Sequence, residues 1–356
     1  MQRIPLETQT LYAELLEQLT ALEAHRSIGS LPGGFTTKEV KGETYYYFQY
    51  SEPGGERKQV YIGKAGPELT RTIERFTEEK AEFQADQKNT RRLCAQLRAG
   101  EAVVSSHAHA RVLQALADAG VFRMGGVLVG THAFALMGNV LGYHWDKPGL
   151  ETQDVDIARE KELDLALPNL PTADIPGTLD RLEMGFLPVP ALDPRRPSTS
   201  FKVRKSALRV DILTTAKNQK EEYRAIQIPK FNTAALALKY LDYLIESPIP
   251  AAVIDSSGIL VQIPDPARYA FHKLIVAGQR PVSEHPKKAK DLRQASLLIT
   301  VLAEERPGDL LQAWDSLIVR GRSWEKGVND GMEAMRKLYP EAPNVSELLD
   351  HGPSPS

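Results

Sequence analysis

The stretch MGGVLVGTHAFALMGNVLGYHWDKPGLETQDVDIAR, residues 124–159, decides how the rest of the chain is read. The apolar run from Gly126 to Val129 has the length and β-branched content of a buried strand. It stops at Gly130-Thr131, where a small residue and a hydroxyl can open a helix. Phe134, Met137 and Leu141, with Ala133 and Val140 beside them, then recur at helical spacing. A polar loop containing Pro and Gly leads to Thr152-Gln153-Asp154-Val155-Asp156-Ile157. In a strand, alternation puts Asp154 and Asp156 on one face and sends Val155 and Ile157 to the other. Two carboxylates side by side repel each other unless a cation joins them, and oxygen ligands of this kind suit Mg²⁺ or Mn²⁺.

Solvated loops often produce an Asp-x-Asp, so the pair needs support from its surroundings. A second strand-like run, Leu208-Arg209-Val210-Asp211-Ile212-Leu213, places one more acid among apolar residues and supplies a third carboxylate. Two other readings of the glycines fail. Gly125 and Gly130 have the gap of a P-loop, but Thr131-His132 stands where Lys-Ser/Thr is required. No Gly-x-Gly-x-x-Gly follows a strand, which removes a dinucleotide-binding fold.

A glycine turn opening a helix, an Asp-x-Asp strand and a third acid on a neighbouring strand together resemble the nucleotidyltransferases of the DNA-polymerase-β-like superfamily. Gly130-Thr131 takes the Gly-Ser position, Asp154 and Asp156 the metal-binding pair, and Asp211 the third acid. Within that superfamily the chain looks most like bacterial nucleotidyltransferase-fold proteins and, more distantly, the abortive-infection toxin nucleotidyltransferases. The resemblance implies an α+β fold: a polymerase-β-like core of mixed sheet and flanking helices, with an N-terminal helix and hairpin region and a C-terminal helical region. It also implies Mg²⁺ or Mn²⁺ as cofactor and an NTP as substrate. The helix with Lys273, followed by the helix with Lys290-Asp291-Leu292, is similar to the tail of the toxin-like enzymes. That likeness assigns Lys273 to the triphosphate and Asp291 to orienting it or a neighbouring base.

Composition limits the choice of class. Hydrophobic residues at 42% and charged residues at 25% are ordinary for a soluble globular protein of two or three domains. The formal net charge of −2 excludes a globally basic nucleic-acid binder, though not local basic patches. With Cys94 alone there is no internal disulfide and no cysteine zinc site. The start, Met1 to Pro5, lacks the apolar core of a secretory signal. Met124 to Tyr143 is uncharged over a membrane-length window, but its glycines, His132 and Asn139 interrupt it, and strand–turn–helix accounts for each break. A cytoplasmic protein without a membrane partner is expected.

Four regions follow from the pattern. Residues 1–104 hold an amphipathic helix from Leu6 to His25, a hairpin of Thr44–Tyr50 and Arg57–Gly63, and a long charged helix from Pro67 to Arg98. Tyr45, Tyr47 and Tyr61 mix with Arg57, Lys58 and Lys64 in the hairpin. Such a ribbon can stack bases and meet phosphates, but a packed hairpin of strand-forming rings is the favoured reading. Residues 105–230 form the catalytic unit. It opens with a helix capped by Ser106, where the spacing of His107 and His109 is wrong for one helical face. A short helix at Leu179–Met184 and a strand at Ala225–Pro229 complete it. Residues 231–349 are expected to be mostly helical: Ala234–Ile245 capped by Thr233, a helix from Pro266, Lys288–Glu304, Leu310–Val319 and Trp324–Tyr339. Residues 350–356 read as a disordered tail.

Function follows from these parts. Gly130, Thr131, Thr152, Lys273 and Asp291 are the nucleotide-binding candidates. Asp154, Asp156 and Asp211 are the catalytic and metal-binding ones. The basic run to Lys205 offers Arg195, Arg196, Lys202, Arg204 and Lys205, with Arg209 beyond it, as phosphate or acceptor contacts, or as a solvated hairpin. The reaction expected is transfer of NMP to an acceptor hydroxyl with loss of pyrophosphate. RNA, especially a tRNA end, is the first choice of acceptor, a protein hydroxyl the second and a small molecule the third. The alternatives are a toxin held in check by an antitoxin, and a non-catalytic nucleotide-binding or interaction protein.

Overall fold

Val127-Leu128-Val129 and the runs around Asp156 and Asp211 are buried strands because their apolar residues are covered on the face away from the acids. A computed structural model describes the chain apart from residues 52–55, 146–151, 162–171, 191–196, 282–283, 346 and 348–356. The expected contacts of Arg195 and Arg196, the tip of the hairpin turn and the 350–356 tail lie outside the described residues.

In chain order, β1 (Gln2–Arg3) and α1 (Leu6–Ala24) precede a three-stranded meander, β2 (Gly34–Val40), β3 (Glu43–Ser51) and β4 (Arg57–Lys64). α2 (Pro67–Ala99) starts at a proline and stops at Gly100, as its punctuation requires. α3 (His107–Asp118) is capped by Ser106, whose hydroxyl accepts from the His109 amide. Then come β5 (Val127–Val129), α4 (Gly130–Leu141), β6 (Tyr143–His144), β7 (Asp154–Arg159), α5 (Ile175–Arg181), β8 (Phe186–Pro188), β9 (Ser200–Val203), β10 (Arg209–Thr215), β11 (Ala225–Ile228) and β12 (Thr233–Leu238). A short α6 (Leu241–Ile245), the hairpin β13 (Ile249–Val253) and β14 (Ile259–Ile263), and the helices α7 (Pro266–Gln279), α8 (His285–Glu305), α9 (Pro307–Ile318) and α10 (Arg322–Leu338) complete the described part.

The central sheet is mixed, in the order β11-β12-β10-β7-β5. β7, β10 and β12 are parallel, while β5 and β11 run antiparallel at the two ends. The edge of β10 away from β7 is divided: β12 pairs with its later residues, and β9, carrying β8, pairs with Arg209 to Asp211. This is the α+β class that the resemblance implied, with helices α7 to α10 following the sheet.

One expected helix is a strand. Thr233 to Leu238 reads as helix because alanine and leucine are strong helix formers. Instead the segment lies between β10 and β11, where a continuous apolar run is what a strand covered on both faces needs. Thr233 therefore begins a strand rather than capping a helix, and helix resumes only at Leu241, after Tyr240 turns the backbone at φ +63°. The short helix expected at Leu179–Met184 starts earlier, at Ile175, where the Asp174 carboxylate accepts from the Gly177 amide. Strands β2, β8 and β9 have no clear signal in the sequence pattern.

One large core runs from α3 through the sheet to α10 and Val345. A smaller one joins Leu15 and Leu19 of α1, Leu93, Cys94 and Leu97 of α2, and Ala252 and Ile254 of the β13 region. Tyr12 fastens that junction, its hydroxyl donating to the Ala252 carbonyl at 3.2 Å and accepting from the Ala252 amide at 3.0 Å. Among the described residues no helix is long and apolar enough to cross a membrane.

Candidate active site

Strand register places the acids. Asp211 on β10 lies opposite Asp156 on β7, and Arg209 lies opposite Asp154. Paired residues on neighbouring strands share a face. Two rows therefore cross the sheet: Lys202, Arg209 and Asp154 in one, and Ser200, Asp211, Asp156 and Val129 in the other. Burial, followed by the facing charges of Asp211 and Asp154, pushes the Asp156 carboxyl up to about 7, while Lys273 and Arg209 pull the other way.

The bend at Gly130 touches this row. Its φ of +67° is one that side chains resist, and a Cβ there would stand 2.3 Å from Asp156 Oδ2. Glycine is thus required first by the carboxylate behind the bend. Thr131, next in the chain, is buried in the first turn of α4. The Gly130 carbonyl accepts from the Tyr269 hydroxyl of α7 at 2.9 Å, and that hydroxyl also stands 3.0 Å from Gln294 Oε1 on α8.

Beside the bend is a cavity of about 370 Å³. Gly130 and Asp156 form one wall, Tyr269, Lys273 and Arg280 a second, and Tyr240 with Leu241 a third. Lys273 Nζ is 2.7 Å from Asp291 Oδ1, and Arg280 Nε is 2.6 Å from Asp291 Oδ2. Burial opposes the Lys273 ammonium, but Asp291 and Tyr269 outweigh it and hold its pKa above the ordinary lysine value. Burial likewise opposes the Asp291 carboxylate, and the two cations outweigh it and hold its pKa below the usual carboxylate range. Asp291 does not line the cavity; it fixes the two cations that do.

The remaining candidates fall around this centre. Thr152 stands just before β7, where its hydroxyl accepts from the Asp154 amide at 3.2 Å. Lys202 is exposed on β9, and Arg204 and Lys205 are exposed in the turn after it. Arg209 Nε donates to Asp211 Oδ1 at 2.7 Å and its Nη2 to Ser200 Oγ at 2.8 Å, while Ser200 Oγ also bonds Asp211. Arg209 thus engages a carboxylate directly.

Among the described residues, no three carboxylate, histidine or cysteine side chains are gathered closely enough to hold a metal ion. Asp211 is drawn toward Arg209 and Ser200 instead. The donor set still fits a hard divalent cation: three carboxylates stand on one face of registered strands, and burial with the facing charges of Asp211 and Asp154 raises the Asp156 pKa, a cost that a cation there would offset. Sequence reasoning missed Ser200, Tyr269 and Arg280. Tyr269 reaches Gly130, 139 residues away, while Arg280 takes its place only where α7 turns toward α8, and no motif marks either.

A family described as nucleotidyltransferase matches residues 107–319, more than half of the chain. The chain belongs to this nucleotidyltransferase family. The matched segment contains the three acids, the Gly130 bend, Lys273 and Asp291, the candidates described above. No curated protein matches the nucleotidyltransferase. One similar solved structure is an antigenic nucleotidyltransferase-like protein from Paracoccidioides brasiliensis, with 12% identity over 63% of this chain and 94% of that one. Its TM-score of 0.30 is too low to inform the fold or the activity.

Proposed function

We propose that this nucleotidyltransferase is metal-dependent and transfers NMP from an NTP to a hydroxyl of RNA, with a tRNA end the leading acceptor. The observation that carries the reading is the register of Asp156 with Asp211, beside a glycine bend that opens on a cavity holding Lys273. Asp154, Asp156 and Asp211 are the residues that would hold Mg²⁺ or Mn²⁺. A bound divalent cation supplies charge neutralisation on the triphosphate and a lower pKa for the attacking hydroxyl.

The chain's own groups do the rest. Lys273 and Arg280, oriented by Asp291, meet phosphate oxygens in the cavity. The start of α4 presents backbone N–H groups at the bend, where a helix N-terminus favours anions. Tyr269 holds the bend through the Gly130 carbonyl. The acceptor oxygen bonds to the α-phosphorus as the bond to the pyrophosphate oxygen breaks. Asp211, released from Arg209, takes the hydroxyl proton in this reading. Lys202, on β9 in the row with Arg209 and Asp154, and Arg204 and Lys205, in the turn that follows, guide an anionic acceptor.

The test incubates the purified chain with each labelled NTP, Mg²⁺ or Mn²⁺, and total RNA or lysate. Label in RNA that disappears in Asp156→Asn is the expected result. Label in protein moves the acceptor to a protein hydroxyl. Label nowhere, with any NTP, refutes the transfer reading.

A further inference from the structure

We infer that the outward face of the β2–β3–β4 sheet is a binding platform for single-stranded RNA, the choice of RNA over other strands resting on the acceptor proposed above. Phe35 and Phe48 pack edge-on against Phe76 of α2, with ring centroids 5.0 and 5.9 Å from it. On that side Phe35 and Phe48 find their apolar partner in α2. Residues opposite one another place Lys38, Tyr45 and Lys64 on the other side, along with Thr36, Tyr47 and Tyr61. The contacts agree: Tyr61 lies 5.5 Å from Tyr47 and 6.3 Å from Tyr45, and Lys38 Nζ sits 4.5 Å over the Tyr47 ring.

Strand propensity explains a ring at any one of these positions. It does not explain three converging on the face that the α2 contact leaves outward, with Tyr61 54% exposed on the edge strand. The rings meet at 46° and 63° rather than stacking flat, which leaves ring surface for planar groups. The charge balance of this face is also unlike that of the whole chain. Lys38, Arg57 and Lys64 stand against Glu43, which pairs with Lys64 at 2.8 Å. Aromatic faces with interspersed cations suit bases joined by phosphates. An apolar protein partner would leave the cations unanswered, and a purely electrostatic one would leave the rings unused.

The test measures anisotropy of a labelled single-stranded RNA 12-mer with the full chain, without NTP, across a salt series. Tyr61→Leu is expected to weaken binding about 5- to 100-fold and Tyr61→Phe by no more than about twofold, because stacking needs a ring and not a hydroxyl. Lys38→Gln is expected to flatten the slope of log K against log salt by about 0.7. Circular dichroism and Tm show whether each variant stays folded, and Tyr61 lies outside both cores. Asp156→Asn should bind RNA like the wild type, so loss of transfer and loss of the platform are read separately. The inference is overturned if the wild type does not bind RNA, or if folded Tyr61→Leu and Tyr47→Leu variants bind it unchanged. It is equally overturned if Asp156→Asn abolishes binding, or if single-stranded DNA of the same sequence binds as tightly.

Discussion

Replacing Gly130 by alanine sets a methyl group against a carboxylate that cannot retreat far. Two costs arise and can be separated. The left-handed backbone at φ +67° costs an alanine roughly 1–2 kcal/mol. The new Cβ, 2.3 Å from Asp156 Oδ2, must also gain about 1 Å to reach ordinary van der Waals separation. Gly185→Ala isolates the first cost, since its φ is +78° and nothing stands within 4 Å of a Cβ there. Both variants should therefore lose similar stability from the backbone, and Gly130→Ala more in total. Only Gly130→Ala should lose nucleotide transfer, by about a hundredfold, because it displaces a catalytic carboxylate by about 1 Å. A double-mutant cycle with Asp156→Ala, followed by thermal melting, reads the contact directly. It should give a coupling of about 0.5–3 kcal/mol, with the second substitution relieving the first. Additive effects, or full activity in Gly130→Ala, would refute the placement of Asp156 behind the bend.

Asp291→Asn should destabilise the fold by about 1–3 kcal/mol in urea titration, because it leaves the half-buried Lys273 without its carboxylate and Arg280 with Glu284 alone. Lys273→Met should cost less, since Asp291 keeps Arg280, and the reverse order would contradict the bridging role. Gly331→Ala should lower Tm despite alanine's helix propensity: its Cβ would meet the Leu274 carbonyl oxygen at 2.3 Å, whereas Gly308→Ala meets nothing and should be neutral or better. Burial, then the charges of His109 and Lys290, lowers His132 to about 3; burial, then Lys273, takes His272 to about 3 against the pull of Asp291. At these two sites the unfolded chain binds more protons between pH 3 and 6.5, so their contribution to stability rises with pH across that window, while Asp156, raised to about 7, contributes in the opposite sense above about pH 4. Melting at pH 7 and pH 5 should show the wild type losing more stability on acidification than His132→Gln with His272→Gln does, the difference isolating the two histidines from Asp156.

The acids were legible because their surroundings repeat a simple grammar. Asp154 and Asp156 alternate with residues that the sheet buries, and Asp211 interrupts an apolar run, so strand and charged face follow from period alone. Pro67 and Gly100 bound α2 just as legibly. Thr233 to Leu238 failed the same method, because its local composition favours helix and only the position between β10 and β11 makes it a strand. The meaning of Gly130 was half legible: a glycine was called for, but the group it makes room for is the Asp156 carboxylate, known only once β5 and β7 pair. Lys273 was found by resemblance. Its bond to Asp291 and the share taken by Arg280 depend on how α7 and α8 lie together, which no spacing encodes.

The cavity takes one wall from Gly130 and Asp156 and another from Tyr269, Lys273 and Arg280, more than a hundred residues later. A nascent chain leaving the ribosome therefore carries all three carboxylates, and Arg209 with them, long before it has the Lys273 and Arg280 that line the far wall. A product halted ahead of α7 would hold Asp211 against Arg209 but would leave the bend without Tyr269 and the cavity without Lys273 and Arg280.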